Sequence, residues 1–146
     1  MSEKKDAKSF VEGVFSAEDS SAASLSKQKL NRYNRIALEA AKQSGRGAIP
    51  AVYGTVSLRE AADACKSYDN TVWCYEKGGA KLGALGLSAG TDIGLLIGSE
   101  GGFSEGEAEF LHGCGFTPAT LGTRIMRCET APLAAAAIIM YLTGNI

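Results

Sequence analysis

From Lys27 to Gly45 the apolar residues recur at steps of three and four, at Leu30, Tyr33, Ala37, Ala40 and Ala41. That spacing predicts a helix with one apolar face, and Gly45 supplies its stop. Elsewhere the rhythm changes to short continuous apolar runs. "TVWCY" (71–75) and "DIGLLIG" (92–98) have the pattern of strands buried on both sides, and "IPAVYG" (49–54) and "FTPATL" (116–121) predict two more. Between these runs lie helix signals. Ser57 with Glu60, and Ser104 with Glu107, have capping-box spacing, so helices are expected over 57–66 and from 104 to about 113. The last helix spans "TAPLAAAAIIMYLTG" (130–144), with Thr130 as its cap, Pro132 in its first turn and Gly144 just past its end. In the glycine-rich connection 76–90, Leu82, Leu85 and Leu87 are expected to pack in one short turn.

Strands alternating with helices, the strands apolar throughout, predict an α/β fold: a parallel sheet with helices on both faces. The chain has the length of one domain, which the pattern places at 27–146. Residues 1–26 form a separate polar segment rich in serine and lysine, with only "FVEGVF" (10–15) as a candidate strand.

Composition narrows the class. The chain is 45% hydrophobic and 21% charged, as in a globular protein. "APLAAAAIIMYL" is too short to cross a membrane, and "MSEKKDAKSF" has no apolar core behind its charges. A cytoplasmic protein without a membrane anchor is expected. Cys65, Cys74, Cys114 and Cys128 form no CxxC pair, and the single His112 completes no ordinary zinc site with them. They are expected to be small buried hydrophobes in a reducing compartment, with no metal bound. The net charge of -1 gives no global basic footprint for nucleic acid, although Arg32, Arg35, Arg46, Arg124 and Arg127 are available for a local patch.

Open α/β sheets bind ligands beyond the carboxyl ends of their strands. Two loops at such ends are loaded with glycine, charge and apolar side chains: "GSEGGF" (98–103) and "GTRIMRCE" (122–129). Neither matches the dinucleotide or Walker phosphate fingerprints, and no G-x-S-x-G elbow is present. Gly98, Gly101 and Gly102 would let the backbone approach a flat ligand closely, or would simply serve turns.

"LLIGSEGGFSEGEAEFL", followed by "LGTRIMRCETAPLAAAA", resembles the bacterial 16S ribosomal RNA uridine N3-methyltransferases of the SPOUT class. The family pattern reads roughly I-G-P-E-G-G-F, then L-G-x-R-I-L-R-x-E-T-A. A third block, "RIALEAAKQSGRGAIP", resembles the family's E-A-x-x-Q-S-x-R-x-x-x-P, so the likeness runs from about Arg35 to the C-terminus. Ser99 and Thr123 stand where the family commonly has proline, and Cys128 where it has threonine. The family's small β-barrel RNA-binding domain has no counterpart in these 146 residues, and "AEDSSAAS" matches the start of the catalytic domain poorly.

The resemblance implies a C-terminal trefoil knot, an exception to the rule that chains do not thread loops. It implies S-adenosylmethionine bound between the two loops, a homodimer, and 16S ribosomal RNA or the small-subunit particle as partner. Carried over by motif, Gly98, Glu100, Gly102, Leu121, Gly122, Ile125 and Met126 would surround the cofactor, with Tyr75 as a further contact. Removing the uridine N3 proton needs a base or a cation beside the developing anion. Arg124 and Arg127 are the candidates for charge stabilisation and Glu129 for base or orienting group, while Gln43 and Arg46 are candidates for the target nucleotide. Two other readings compete: a cofactor-binding but inactive dimeric module, and an unrelated small-molecule binder.

Overall fold

The computed structural model describes residues 26–146, so "FVEGVF" lies outside the described residues. Four strands, β1 (Asn70–Cys74), β2 (Ala80–Lys81), β3 (Ile93–Ile97) and β4 (Thr117–Thr120), pair in the order β2-β4-β1-β3. Every pairing is parallel, with Val72 opposite Leu95 and Thr117, and Ala80 opposite Ala119. The helices are α1 (Lys27–Gln43), α2 (Leu58–Ala64), α3 (Glu105–Gly113) and α4 (Ala131–Leu142).

Strand alternation sends successive side chains to opposite faces and so builds two cores. On one face Trp73 and Leu96 pack with Ala62 of α2, Leu111 of α3, Phe103 and Phe116. On the other, Val72 and Ala119 pack with Leu82 and with Ala135 and Ile139 of α4. The sheet is covered on both sides, as its apolar strands required. Among the described residues no helix is long and apolar enough to cross a membrane.

Both expected capping boxes form. The Glu60 amide donates to the Ser57 hydroxyl at 3.3 Å, and the Ser57 amide donates back to the Glu60 carboxylate at 2.8 Å. Ser104 and Glu107 repeat those two distances at the start of α3. Thr130 sits at the N-cap of α4 but makes no side-chain cap bond. The Arg127 carbonyl closes that turn instead, accepting from the amides of Thr130 and Ala131 at 3.0 and 2.9 Å.

Two segments depart from the sequence pattern. "IPAVYG" is not a strand. Pro50 brings no amide donor, and Val52 has both its backbone groups taken by the Asn34 side chain, each at 3.0 Å. One amide side chain on α1 thus replaces a strand partner. Conversely, the glycine-rich connection contains β2, too short for any periodicity to reveal. Leu82 after it is buried, and Leu85 and Leu87 pack against the same cluster, as expected. Of the four cysteines only Cys65 is buried; Cys74 and Cys128 are partly so, and Cys114, the C-cap of α3, is exposed.

Candidate functional site

The strand order sets the carboxyl ends of β4, β1 and β3 side by side, and a cavity of about 480 Å³ opens there. Three segments line it: Cys74–Glu76 after β1, Ile97–Gly102 after β3, and Ala119–Glu129 after β4. Tyr75, Gly98, Glu100, Gly102, Leu121, Gly122, Ile125 and Met126 all contribute to the wall, as do Arg124, Arg127 and Glu129. These residues come from loops separated by up to about fifty positions, and the sheet brings them to one place. Gln43 and Arg46 are not among the lining residues; they lie at the exposed end of α1.

The first loop is a tight turn as well as a wall. The Gly102 amide donates to the Ser99 carbonyl at 3.0 Å, closing a four-residue turn with Glu100 and Gly101 at its tip. Its foot is anchored from β1. The Glu76 carboxylate accepts the Phe103 amide at 3.2 Å and lies directly against the Cα of Gly102, where any Cβ would collide with it. Phe103 is 3% exposed, edge-on to Trp73, and its ring occupies the space a Cβ on Gly98 would need. Tyr75 stacks on Trp73 at 4.3 Å between ring centroids, so one ring face is already used by the core. Two of the loop's glycines therefore have packing reasons to be glycine, independent of any ligand.

The second loop is shaped by Thr120. Its hydroxyl donates to the Gly122 carbonyl at 2.8 Å and accepts the Gly122 amide at 3.2 Å. Gly122 has φ +143°, and nothing lies within 4 Å of where its Cβ would be. Unlike Gly98 and Gly102, it leaves open space beside the backbone. Ile125 is 81% exposed and Met126 39%, an apolar lip on the cavity with no protein partner covering it.

Electrostatics at the end of the second loop follow from one contact. The Cys128 thiol donates to the Glu129 carboxylate at 3.3 Å. A bond to its own backbone amide, and then that thiol, hold the Glu129 carboxyl below its ordinary range, while the Cys128 thiol is raised by the same contact. Glu129 is thus a carboxylate at neutral pH, a better orienting group than proton acceptor.

Cys74 is different: burial alone pushes its thiol up from 9.0 to about 11. The unfolded thiol ionises first, so its contribution to stability is complete below pH 9 and is lost as pH rises towards 11. Two units of difference set that loss on the order of 2–3 kcal/mol. We expect urea midpoints to fall over this range in the wild type and to fall less in Cys74→Ala. A common slope for both proteins would contradict the assignment.

Sequence reasoning missed Glu76 and Thr120. Glu76 carried a usable signal, since it follows a buried strand at the carboxyl end of the sheet. Thr120 carried none, because a threonine ending a strand is an ordinary residue. Among the described residues no three metal-ligating side chains gather in one place.

A family model described as an RNA methyltransferase domain matches residues 9–140. The Bacillus subtilis ribosomal RNA small subunit methyltransferase E is 35% identical over 80% of this chain and 48% of its own length. The Synechocystis protein of the same name is 34% identical over 80% of this chain and 40% of its own. Among solved structures, a ribosomal RNA small subunit methyltransferase E from Neisseria gonorrhoeae, bound to S-adenosyl methionine, superposes with a TM-score of 0.70. It is 36% identical, covering 80% of this chain and 48% of that one. The chain spans about half the length of the curated relatives it matches.

Proposed function

The chain belongs to the RNA methyltransferase domain family, and from that premise we propose that it transfers a methyl group from S-adenosylmethionine to N3 of a uridine in 16S ribosomal RNA, as a cytoplasmic homodimer. The observation that carries this reading is the single cavity wall formed by both motif loops. It fits the cofactor by its chemistry. Leu121, Ile125 and Met126 offer apolar surface for an adenine, Gly122 leaves room for close backbone approach, and the turn at Ser99–Gly102 offers backbone polar groups to an edge. When bound, S-adenosylmethionine supplies an electrophilic methyl group.

The remaining work falls to side chains of the second loop. Arg124 and Arg127, which line the cavity, would supply cationic charge to the imide anion left when uridine N3 loses its proton. Glu129, ionised and held by Cys128, would orient an arginine once the substrate is bound. Gln43 and Arg46 would meet the target nucleotide from the partner subunit. An apolar stripe on α4 supports the homodimer: Leu133 and Tyr141, 74% and 71% exposed, lie two turns apart on one side. The same reading makes the segment after β4 part of a trefoil knot.

The test is calorimetric titration with S-adenosylhomocysteine on the wild type and on Gly122→Val, with nucleoside analysis of ribosomal RNA after incubation with S-adenosylmethionine. One-site binding by the wild type, lost in a variant that remains folded, and appearance of 3-methyluridine are expected. A β-branched residue at φ +143° would be strained and would fill the open space. A folded wild type that binds no cofactor would overturn the reading.

A further inference from the structure

Charge is segregated along this chain to a degree that its net value hides. Residues 27–46 carry six basic side chains, Lys27, Lys29, Arg32, Arg35, Lys42 and Arg46, against one acidic, Glu39. Residues 57–146 carry six basic against ten acidic. The positive charge is therefore concentrated on α1 and its end, while the part of the domain carrying the cavity, 57–146, is acidic.

The helix displays that charge outward. Ala41 is its one fully buried residue, and the half-buried Leu30, Asn34, Ala37 and Leu38 share that side. Lys29, Arg32 and Arg35 follow at three-residue steps, all exposed, and Arg32 and Arg35 lie on the side away from Ala41. Among the described residues the ion pairs are Lys42–Glu39, Lys66–Asp63 and Lys77–Glu105. Lys29, Arg32 and Arg35 thus have no carboxylate partner there. A charge run without counter-charges is a solvated face unless something polyanionic covers it.

Two exposed aromatic rings accompany the cations. Tyr33, one turn beyond Lys29, is 44% exposed, and Tyr53 is 55% exposed. The Asn34 side chain bonds both backbone groups of Val52, which keeps the segment bearing Tyr53 alongside α1. Cations that track phosphates, with rings on which bases stack, are the combination that binds single-stranded nucleic acid without reading its sequence. An anionic membrane surface is less well served. A membrane-bound amphipathic helix needs its apolar face free, whereas Ala41 on that side of α1 is buried and Leu30, Ala37 and Leu38 are half-buried.

We propose that the exposed face of α1 is an RNA-backbone site, in which Lys29, Arg32 and Arg35 contact phosphates and Tyr33 stacks on a base, outside the nucleotide that enters the cavity. The proposal rests on the RNA substrate inferred above, but its location is independent of the cofactor cavity. It also gives a domain whose 57–146 part is acidic a way to hold a polyanion: attraction at α1 offsets repulsion by the rest of the surface.

Fluorescence anisotropy with a labelled single-stranded RNA of about twenty nucleotides, titrated at several salt concentrations, tests it on the 146-residue chain. Each single-strand phosphate contact contributes about 0.7 to the slope of log affinity against log salt. Lys29→Ala/Arg32→Ala/Arg35→Ala should therefore reduce the slope by about 2 and weaken binding at moderate salt by about 10–100-fold. Arg32→Lys/Arg35→Lys should keep the slope, which separates charge from helix damage, and Tyr33→Leu should lose affinity at an unchanged slope. Calorimetry with S-adenosylhomocysteine should be unaltered in all of them. A triple variant with wild-type affinity and slope would overturn the proposal, as would a wild type that binds vesicles of anionic lipid but not RNA. If the wild type binds RNA through α1 but no cofactor, the methyltransferase reading fails and the RNA site stands.

Discussion

Gly102→Ala is expected to weaken S-adenosylhomocysteine binding by about 100-fold or more while leaving the two cores folded. Gly102 has φ +70°, and its missing Cβ is the space in which the Glu76 carboxylate sits. An alanine there carries the left-handed cost of about 1–2 kcal/mol. It also drives Glu76 away from the Phe103 amide, and a hydrogen bond to a charged acceptor contributes about 1.5–3 kcal/mol. Concentrated in one loop, about 3 kcal/mol corresponds to roughly two decades of affinity. Gly101→Ala is the control. Its Cβ would meet nothing closer than the Ser99 hydroxyl at 3.9 Å, so a near-normal affinity is expected. Combining Gly102→Ala with Glu76→Ala removes the collision, and the two losses should not add. Equal effects of the Gly101 and Gly102 substitutions would show that the anchor at Glu76 is not what holds the loop.

The second large effect lies at the sheet edge. Gly79 has φ +151°, and a Cβ there would lie 2.6 Å from the Pro118 carbonyl carbon and oxygen and 2.7 Å from the Ala119 nitrogen. These are backbone atoms of β4 and cannot swing aside as a side chain would. Gly79→Ala must therefore push β2 off β4, and with it Leu82 out of the core that Ala135 and Ile139 complete. Backbone strain and overpacking of about 1–3 kcal/mol each set the expected loss at about 3–5 kcal/mol. Urea denaturation should show a lower midpoint. Gly78 has φ +130° but open space, so Gly78→Ala should lose about 1–2 kcal/mol from conformation alone. A Gly79 variant no worse than the Gly78 variant would refute the close approach.

Much of the framework was legible from local chemistry. The three-and-four spacing from Leu30 to Ala41 gave α1, the Ser-x-x-Glu pairs gave the starts of α2 and α3, and the apolar runs at 71–75 and 92–98 gave the two central strands. Much of the cavity's lining was legible as well, though by a different route: Gly98 to Gly102 and Leu121 to Glu129 lay in two sequence blocks resembling a family, whereas Glu76 and Thr120 lay outside them. What failed were segments whose pattern is ambiguous without a partner. "IPAVYG" has the composition of a strand, yet its hydrogen bonds go to Asn34, eighteen residues away. Ala80–Lys81 has the composition of a loop, yet it pairs with β4 because Gly79 lets the backbones meet.

Local sequence was therefore enough for α1, the capped starts of α2 and α3, the two central strands and the faces they bury. Those properties depend on neighbours within about one helical turn or one strand, where periodicity and capping act. The strand order, with β1 between β4 and β3, is a tertiary outcome, and it is what brings Glu76 against Gly102 in the cavity wall. Tertiary structure also decided which glycines are needed for packing and which leaves room for a ligand. Gly98 and Gly102 face a ring and a carboxylate, whereas Gly122 faces open space, and glycine has no side chain through which a sequence could distinguish them.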